Sequence, residues 1–573
     1  MKATGYTLAE FKPLKPGEEE LLEKARSGAI CKLGDSMPGE ELRGEKKQSV
    51  LIRPQFLRFL ALGGDEEAPV HAAGISLQGA LIDPDNPTEP ALDLRFCECP
   101  VPLRFLGCRF NGSIDARSSQ LKQLELVSCI VDANSPAGDA IDLSYSKIAS
   151  NLTFRGTVLI GINYLFQARI GGLLDFRDGN FFSNKECHEK YLEDGMEPIF
   201  NYYMKSVEKG ITLNCINADG IIVEGSAFLG AGEQRENDNA LYVGTLRMVG
   251  AQISGDVSLD GGIFLGLPVS LDLDKAKIGR SLRVVSIKQF IGSLDLSGCE
   301  AGSLVDDKES WDKINTTVLS GFTYETVNAD LTDRGIQWWK EWLSKQMQKH
   351  RTTDLKTQPF EQLAKVLREL GHEPDARKIL HHKRRQMRRT RRDFPESYGG
   401  PARGEFNLRW WATRKFEWFL EKGVGYGYKP QNAAIALFAI SLFMWLVYWD
   451  AAYRGVMTPT HPLVFQSGSL PQVCRDNWAK FTSPGIGGKP ECMKAMPPEY
   501  SPFNPFMYSL DVGIPLVEFG QEADWSPRAT KPPNGESDFA GSVVRFLMYL
   551  QILSGWILSL LFVSAVSGVI RRE

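Results

Sequence analysis

At 573 residues, with 43% hydrophobic residues, the chain has room for two or three domains and a substantial core, which excludes a single small domain. Its formal net charge of -4 hides an asymmetry, because the stretch from His381 to Asp393 reads HHKRRQMRRTRRD. The opening segment MKATGYTLAEFKPLKPGEEELLEKARSG lacks the apolar core of a secretion signal, so the N-terminal part is expected to stay in the cytoplasm.

Residues 1–70 read as a helical cap. In IRPQFLRFLALGG the apolar residues Phe56, Leu57, Phe59, Leu60 and Leu62 keep helical spacing, with Pro54 in the first turn and Gly63 as a stop. From Leu92 the pattern changes to short alternating segments such as ALDLRF, SIDARS, AIDLSYS and SLDLSG. Leu92, Leu103, Ile114, Leu124, Ile141, Leu152 and Leu174, and later Leu271, Leu282, Leu294 and Leu304, mostly recur every 10 to 12 residues. Ile148, Ile170, Ile253 and Ile278 stand four or five residues ahead of the next strand. Strands this short bury an apolar face only when coil stacks on coil, so residues 71–306 are expected to form a parallel β-helix, right-handed or pentapeptide-like. A β-sandwich is the runner-up. Two stretches break the beat: a partly helical excursion from Asp178 to Gly210, and the polar loop GAGEQRENDN. Each reads equally as a binding loop or a tolerated insertion.

Residues 321–394 return to helical spacing and form a helical neck, with a hairpin turning at Gly371 to Pro374 and a wholly basic end. Arg384, Arg385, Arg388, Arg389, Arg391 and Arg392 are candidate contacts for anionic lipid headgroups, which their position ahead of an apolar span favours over nucleic acid. Residues 405–430, rich in Trp interleaved with Arg and Lys, have the chemistry of an interfacial helix.

Residues 431–573 hold two uncharged stretches, 20 residues between Lys429 and Asp450 and 25 between Arg545 and Arg571. Each is long enough to cross the roughly 30 Å hydrocarbon core of a bilayer as a helix. Trp445, Tyr448, Trp449 and Tyr453 at one end of the first, and Tyr426 and Tyr428 at the other, match aromatic belts. Gly555 with Ser559, and Ser564 with Gly568, are small residues four apart that let helices approach closely. The basic flanks place both termini in the cytoplasm and the intervening loop outside, where Cys474 and Cys492 form a candidate disulfide. The other eight cysteines are expected as thiols.

Within that loop, SPFNPFMYSLDVGIPLVEFGQEADW is mostly apolar yet interrupted by Pro505, Gly513, Pro515 and Gly520, as in a re-entrant segment. YSLD followed by LVEFGQ resembles the pore loop of two-span cation channels, which makes Tyr508, Asp511, Glu518, Phe519, Gly520 and Gln521 candidate pore residues. The filter departs from that pattern, lacking the threonine and the first glycine, and Pro515 interrupts the helix. An external plug packed on the spans is the other reading.

The order of IRPQFLRFLALGG, VHAAGISLQGALI, the LDL/LRF strands, PFEQLAKVLRELGHEPDARKIL, VGYGYKP, YSLDVGIPLVEFGQEADWSP and YLQILSGWILSLLFVSAVSGVIRR resembles bacterial membrane proteins with an N-terminal pentapeptide-like or β-helical region. These are often described as membrane-associated oxidoreductases. The resemblance implies an architecture more than an activity. GVGYGYKP lacks the third glycine of a dinucleotide fingerprint, and GIGGKPE lacks the Ser/Thr of a P-loop. Cys97, Cys99 and Cys108 have no neighbouring histidine and read as coil core. No catalytic, cofactor or metal site is expected, and Asp175 with Asp178, or Asp272 with Asp274, are the only acidic pairs a solenoid-face enzyme could use. The expectation is a nonenzymatic membrane scaffold that is homo-oligomeric and offers its solenoid face to a protein partner. A solenoid-gated channel or membrane-perturbing effector, and an enzyme, are the alternatives.

Overall fold

A computed structural model describes residues 6–39, 41–133, 138–194, 205, 213–232, 239–328, 331–346, 356–393, 408, 411, 412, 415, 431–461, 464, 471–483, 487–497, 500–515, 517–528 and 538–567. The chain divides into two compact units, Met1–Leu380 and His381–Glu573.

The first unit is built on a parallel β-solenoid spanning residues 75–327, of about nine turns. Its strands fall into two long parallel sheets, so nearly every strand pairs with the equivalent strand one coil away. In one sheet the register aligns Leu103, Leu124, Leu152, Leu174, Ala227, Val257, Leu282, Leu304 and Val327 in a single buried column. Beside it run Leu121, Ile148, Ile170, Val223, Ile253 and Ile278. Leu92, Ile114 and Ile141 align in the other sheet. The 10 to 12 residue beat is therefore half a coil, and the isoleucines ahead of each strand form a second column of the same sheet.

The coil corner explains the recurring Leu-Asp and Ile-Asp pairs. Asp93, Asp115, Asp142, Asp272 and Asp295 each follow an inward Leu or Ile, and each side-chain oxygen accepts the N–H of the residue two further on, at 2.8 to 3.3 Å. Three positions after each Asp the backbone turns through positive φ, at Phe96, Ser118, Tyr145, Lys275 and Gly298. Short polar side chains that bond their own backbone stabilise such turns. Between the sheets, Phe181, Tyr242 and Phe264 stack with centroids 4.9 and 5.0 Å apart, a packing that aromatic rings favour when offset.

A stack of coils exposes unpaired strand edges at both ends, and both ends are covered. At the N-terminal end the helix Pro54–Ala61 buries Phe56 and Phe59. The cap is not wholly helical. Strands Cys31–Lys32 and Leu51–Ile52 pair in parallel with the strands at Leu77 and Leu81, so it begins the stack itself. Two-residue strands carry no visible period, so nothing in the sequence sets them apart within a segment that reads as a helical cap. The Glu18 carboxylate, fully buried, accepts from the N–H of Lys15 and of Arg53, and from the Arg53 guanidinium at 2.8 and 2.6 Å.

At the C-terminal end the solenoid runs past residue 306, through a strand at Thr323–Asn328. The helices Leu331–Ser344 and Gln358–Glu369, expected as a neck, instead pack on the solenoid end. Trp338, Trp339 and Trp342 are buried with Trp311 in the same core, and the Trp311 and Trp342 rings meet edge-on at 5.5 Å. Gln358 accepts the Gly321 N–H and donates to the Phe322 carbonyl, while Gln362 donates to the Tyr324 carbonyl. The helical hairpin does turn at the expected place, between Glu369 and Glu373, and Ala376 and Ile379 of its second helix join the core.

The excursion after Asp178 has a packing role. Its helix Lys185–Asp194 lies with Cys187 and Tyr191 against the outward apolar residues Phe182, Leu241, Val243 and Leu265. Most of residues 195–212, residues 233–238 of the polar loop, and nearly all of the expected interfacial helix at 405–430 lie outside the described residues.

Glu18→Ala leaves two backbone N–H groups without their acceptor and the Arg53 guanidinium with only the carbonyls of Phe11 and Pro13. Removing one partner of a buried pair costs about 3 kcal/mol. Hydrogen exchange should accelerate through Pro16–Ser27 and Pro54–Ala61 in this variant while protection at Leu152 to Leu174 is retained.

Candidate functional site: a short helix held between two long apolar helices

Among the described residues of the second unit, two helices are long and apolar enough to span a membrane, Gln431–Tyr453 and Phe539–Val566. Between them in sequence lies a short helix, Pro505–Gly513, which packs against both. Pro505 suits the first turn, and the Asn504 side chain caps it by accepting the N–H groups of Phe506 and Met507 at 3.0 and 3.2 Å.

The contact is polar at its centre. The Tyr448 hydroxyl donates to Gln551 Oε1 at 2.9 Å, Gln551 Nε2 donates to the Ser509 carbonyl at 2.8 Å, and the Ser509 hydroxyl donates to the Ser441 carbonyl at 2.6 Å. All four residues are buried. Gln551 thus links both long helices and the short one through a single amide. Away from water, such groups hold helices together because the alternative is an unsatisfied partner. The sequence carries one signal for this, a lone glutamine in an uncharged stretch of 25 residues.

Close backbone approach completes the packing. A Cβ on Gly555 would sit 2.3 Å from the Gly513 carbonyl, and one on Gly513 would sit 2.9 Å from both Ser441 Oγ and Gln551 Nε2. Gly555 and Ser559 lie on the buried stripe with Gln551, and Gly555 faces the chain's own short helix. Ser564 is half-buried, and Gly568 lies outside the described residues.

The candidate pore residues divide into two groups. Tyr508 is buried, its ring 4.7 Å from Tyr448 and its hydroxyl 3.3 Å from Met548 Sδ. Gln521 is buried too, bonding Ser501, Pro502 and the Asn504 N–H. Asp511 accepts the Phe519 N–H at 2.6 Å on one oxygen and the Glu522 N–H at 2.7 Å on the other. Its carboxylate thereby folds the returning chain against the short helix. Burial, and then Asp511, push the neighbouring Glu522 carboxyl above its usual range. Glu518, Phe519 and Gly520 are exposed.

The rest of the loop forms a small fold over the start of the short helix. Cys474 and Cys492 are joined by a disulfide with Cα atoms 5.6 Å apart, linking the helices Gln472–Asp476 and Pro490–Ala495. Met457–Pro459 and Trp525–Pro527 pair antiparallel, bringing the loop's two ends together. Trp525, Phe503, Tyr508 and Tyr448 then touch ring to ring, from the strand pair to the first long helix.

Elsewhere, Arg384, Arg385, Arg388 and Arg389 lie on the helix Glu373–Asp393, with Arg385 and Arg389 exposed one turn apart. Arg391 and Arg392 belong to the same helix, and their side chains lie outside the description. Asp175 forms a two-point pair with Arg177, and Asp178 accepts the Gly232 N–H. Asp272 serves its own corner turn, and Asp274 pairs with Lys275. Cys99 and Cys108 are buried in the coil core, and burial pushes the Cys99 thiol up to about 12.

Two measurements test this arrangement. Gln551→Leu leaves the Tyr448 hydroxyl without its acceptor and removes the side-chain donor to the Ser509 carbonyl, and should lower the stability of the second unit in detergent by about 1 to 2 kcal/mol. A thiol reagent applied to the folded protein without reductant should modify neither Cys474 nor Cys492, and both should react after reduction and unfolding. No family model, curated protein or solved structure matches the chain.

Proposed function

We propose that the protein is a membrane-anchored scaffold of the bacterial inner membrane, with its β-solenoid in the cytoplasm serving as a recognition or assembly surface. One observation carries this reading. The apolar windows of the two long helices are only 22% and 28% buried, whereas the core helix of a soluble domain is mostly buried. Phe438, Phe443 and Leu446 on the first helix, and Phe546, Trp556 and Leu560 on the second, point away from the chain's own packing. Large exposed apolar surface of this kind marks contact with another apolar phase, and at this length a bilayer is the phase that fits.

The basic flanks set the orientation of the proposed anchor, termini inside and the disulfide-bearing loop outside. The exposure of Arg385 and Arg389 supports contact with anionic headgroups. A solenoid of about nine turns offers a long, rigid face to a protein partner. The acids a solenoid-face enzyme would need serve corner turns and ion pairs instead, which favours a scaffold over an enzyme. A second reading, a channel, draws support from the short helix held between the two long ones. Against it, both Asp511 oxygens bond backbone N–H groups.

Alkaline carbonate washing should leave the protein in the membrane pellet. A reporter inserted near Gly487 should register outside the cell and one fused after Glu573 inside. Release into the supernatant, or an external C-terminus, would overturn the anchor or its orientation.

A further inference from the structure

The inference rests on the reading of the solenoid as a recognition surface, and is independent of the membrane. At the coil corner that turns through positive φ, later coils place Gly220, Gly250, Gly298 and Gly321, the residue this conformation favours. Two early coils place Phe96 and Tyr145 there instead. A bulky side chain is unfavourable in that conformation, and burial does not offset it, since Phe96 is 80% exposed and Tyr145 56%. Residues held in sparsely populated backbone conformations cluster at binding sites.

The two aromatics stand on one ridge. The Phe96 N–H bonds the Arg117 carbonyl of the next coil at 2.9 Å, and the Ser118 N–H bonds the Ser144 carbonyl of the coil after that at 2.8 Å, so Phe96 and Tyr145 are two coils apart, about 10 Å. The Tyr145 ring also meets the Phe166 ring of the following coil edge-on at 5.4 Å. Beside this ridge, Lys147 and Arg169 are exposed and are Cα partners in adjacent strands. Like charges directly opposite on a sheet repel, and among the described residues neither of these forms an ion pair. The acids on the other side of the ridge are taken: Arg95 pairs with Asp93 and Asp115 at 2.7 and 3.6 Å, and Arg117 with Asp115 and Asp142 at 2.7 and 3.4 Å. Glu98, an exposed acid in the column of Lys147, stands two coils away from it.

We propose that this ridge, with Lys147 and Arg169, binds an extended acidic segment of a partner protein. Charge complementarity selects the acid, because a carboxylate between the two cations removes their mutual repulsion. The exposed rings of Tyr145 and Phe96 select an apolar side chain next to it. From the coil of Phe96 to that of Arg169 is about 14 Å, which an extended chain of about four or five residues spans. A nucleic acid fits less well, since its phosphates repeat along the strand while the cations here are two and Asp93, Asp115 and Asp142 line the far side of the ridge.

The full chain in detergent can be panned against a phage library of random dodecapeptides, with single-stranded polythymidylate titrated separately as a nucleic-acid probe. Selected peptides should carry Asp or Glu beside apolar residues, and Lys147→Gln combined with Arg169→Gln should weaken their binding several-fold. Phe96→Gly and Tyr145→Gly should weaken it as well, while thermal unfolding occurs at the same or a higher temperature because glycine suits positive φ. A merely structural role for the two aromatics would leave binding unchanged. Selected peptides without acids, or acidic peptides that bind the doubly substituted chain as well as the original, overturn the proposal and leave the recognition reading standing. Polythymidylate binding that the double substitution abolishes overturns it in favour of nucleic acid. A library that yields no binder to the unsubstituted chain removes the recognition reading, and this proposal with it. The glycine variants keep the test decisive should the glutamine pair misfold.

Discussion

Every strand of the solenoid takes most of its backbone hydrogen bonds from the coil before and the coil after, and nearly none from its neighbours in sequence. No coil is stable alone, and no end can be left bare. That requirement accounts for the cap that begins the stack with Cys31–Lys32 and Leu51–Ile52, and for the tryptophans that close the far end. It also accounts for the acids at the corners, whose side chains satisfy N–H groups where the chain leaves one strand for the next. Much of what resembles a charged functional surface therefore belongs to the turn chemistry of the stack.

The second unit answers the opposite problem. Its long helices satisfy their own backbone and can stand in an apolar medium, while the short helix and its return cannot do so unaided. Gln551, Tyr448 and Ser509 supply bonds at the one level where three helices meet, and Asp511 supplies them for the returning chain. Tyr448, Gln551, Ser509 and Asp511 each join two segments through their side chains.

The half-coil beat was legible because Leu and Ile must recur wherever a strand faces the core, and residues such as Leu124 and Leu152 stand directly above one another. The apolar helices and the hairpin near Gly371 were legible for equally local reasons, length and punctuation. What misled was long range. Trp338, Trp339 and Trp342 have the helical spacing of a neck, and only the open end of the last coil, formed by Thr323–Asn328, gives them a surface to cover. The candidate pore residues rest on a local resemblance, yet the residues that hold that helix, Ser441 and Gln551, lie 68 and 42 positions from Ser509. No window of sequence shows such a meeting.

The direction of the bonds between coils has a mechanical consequence. They run along the solenoid axis, so a pull between its two ends loads the junctions in series, and the weakest junction yields before the others share the force. Such a body resists bending and compression as a rod, while under tension it lengthens one coil at a time.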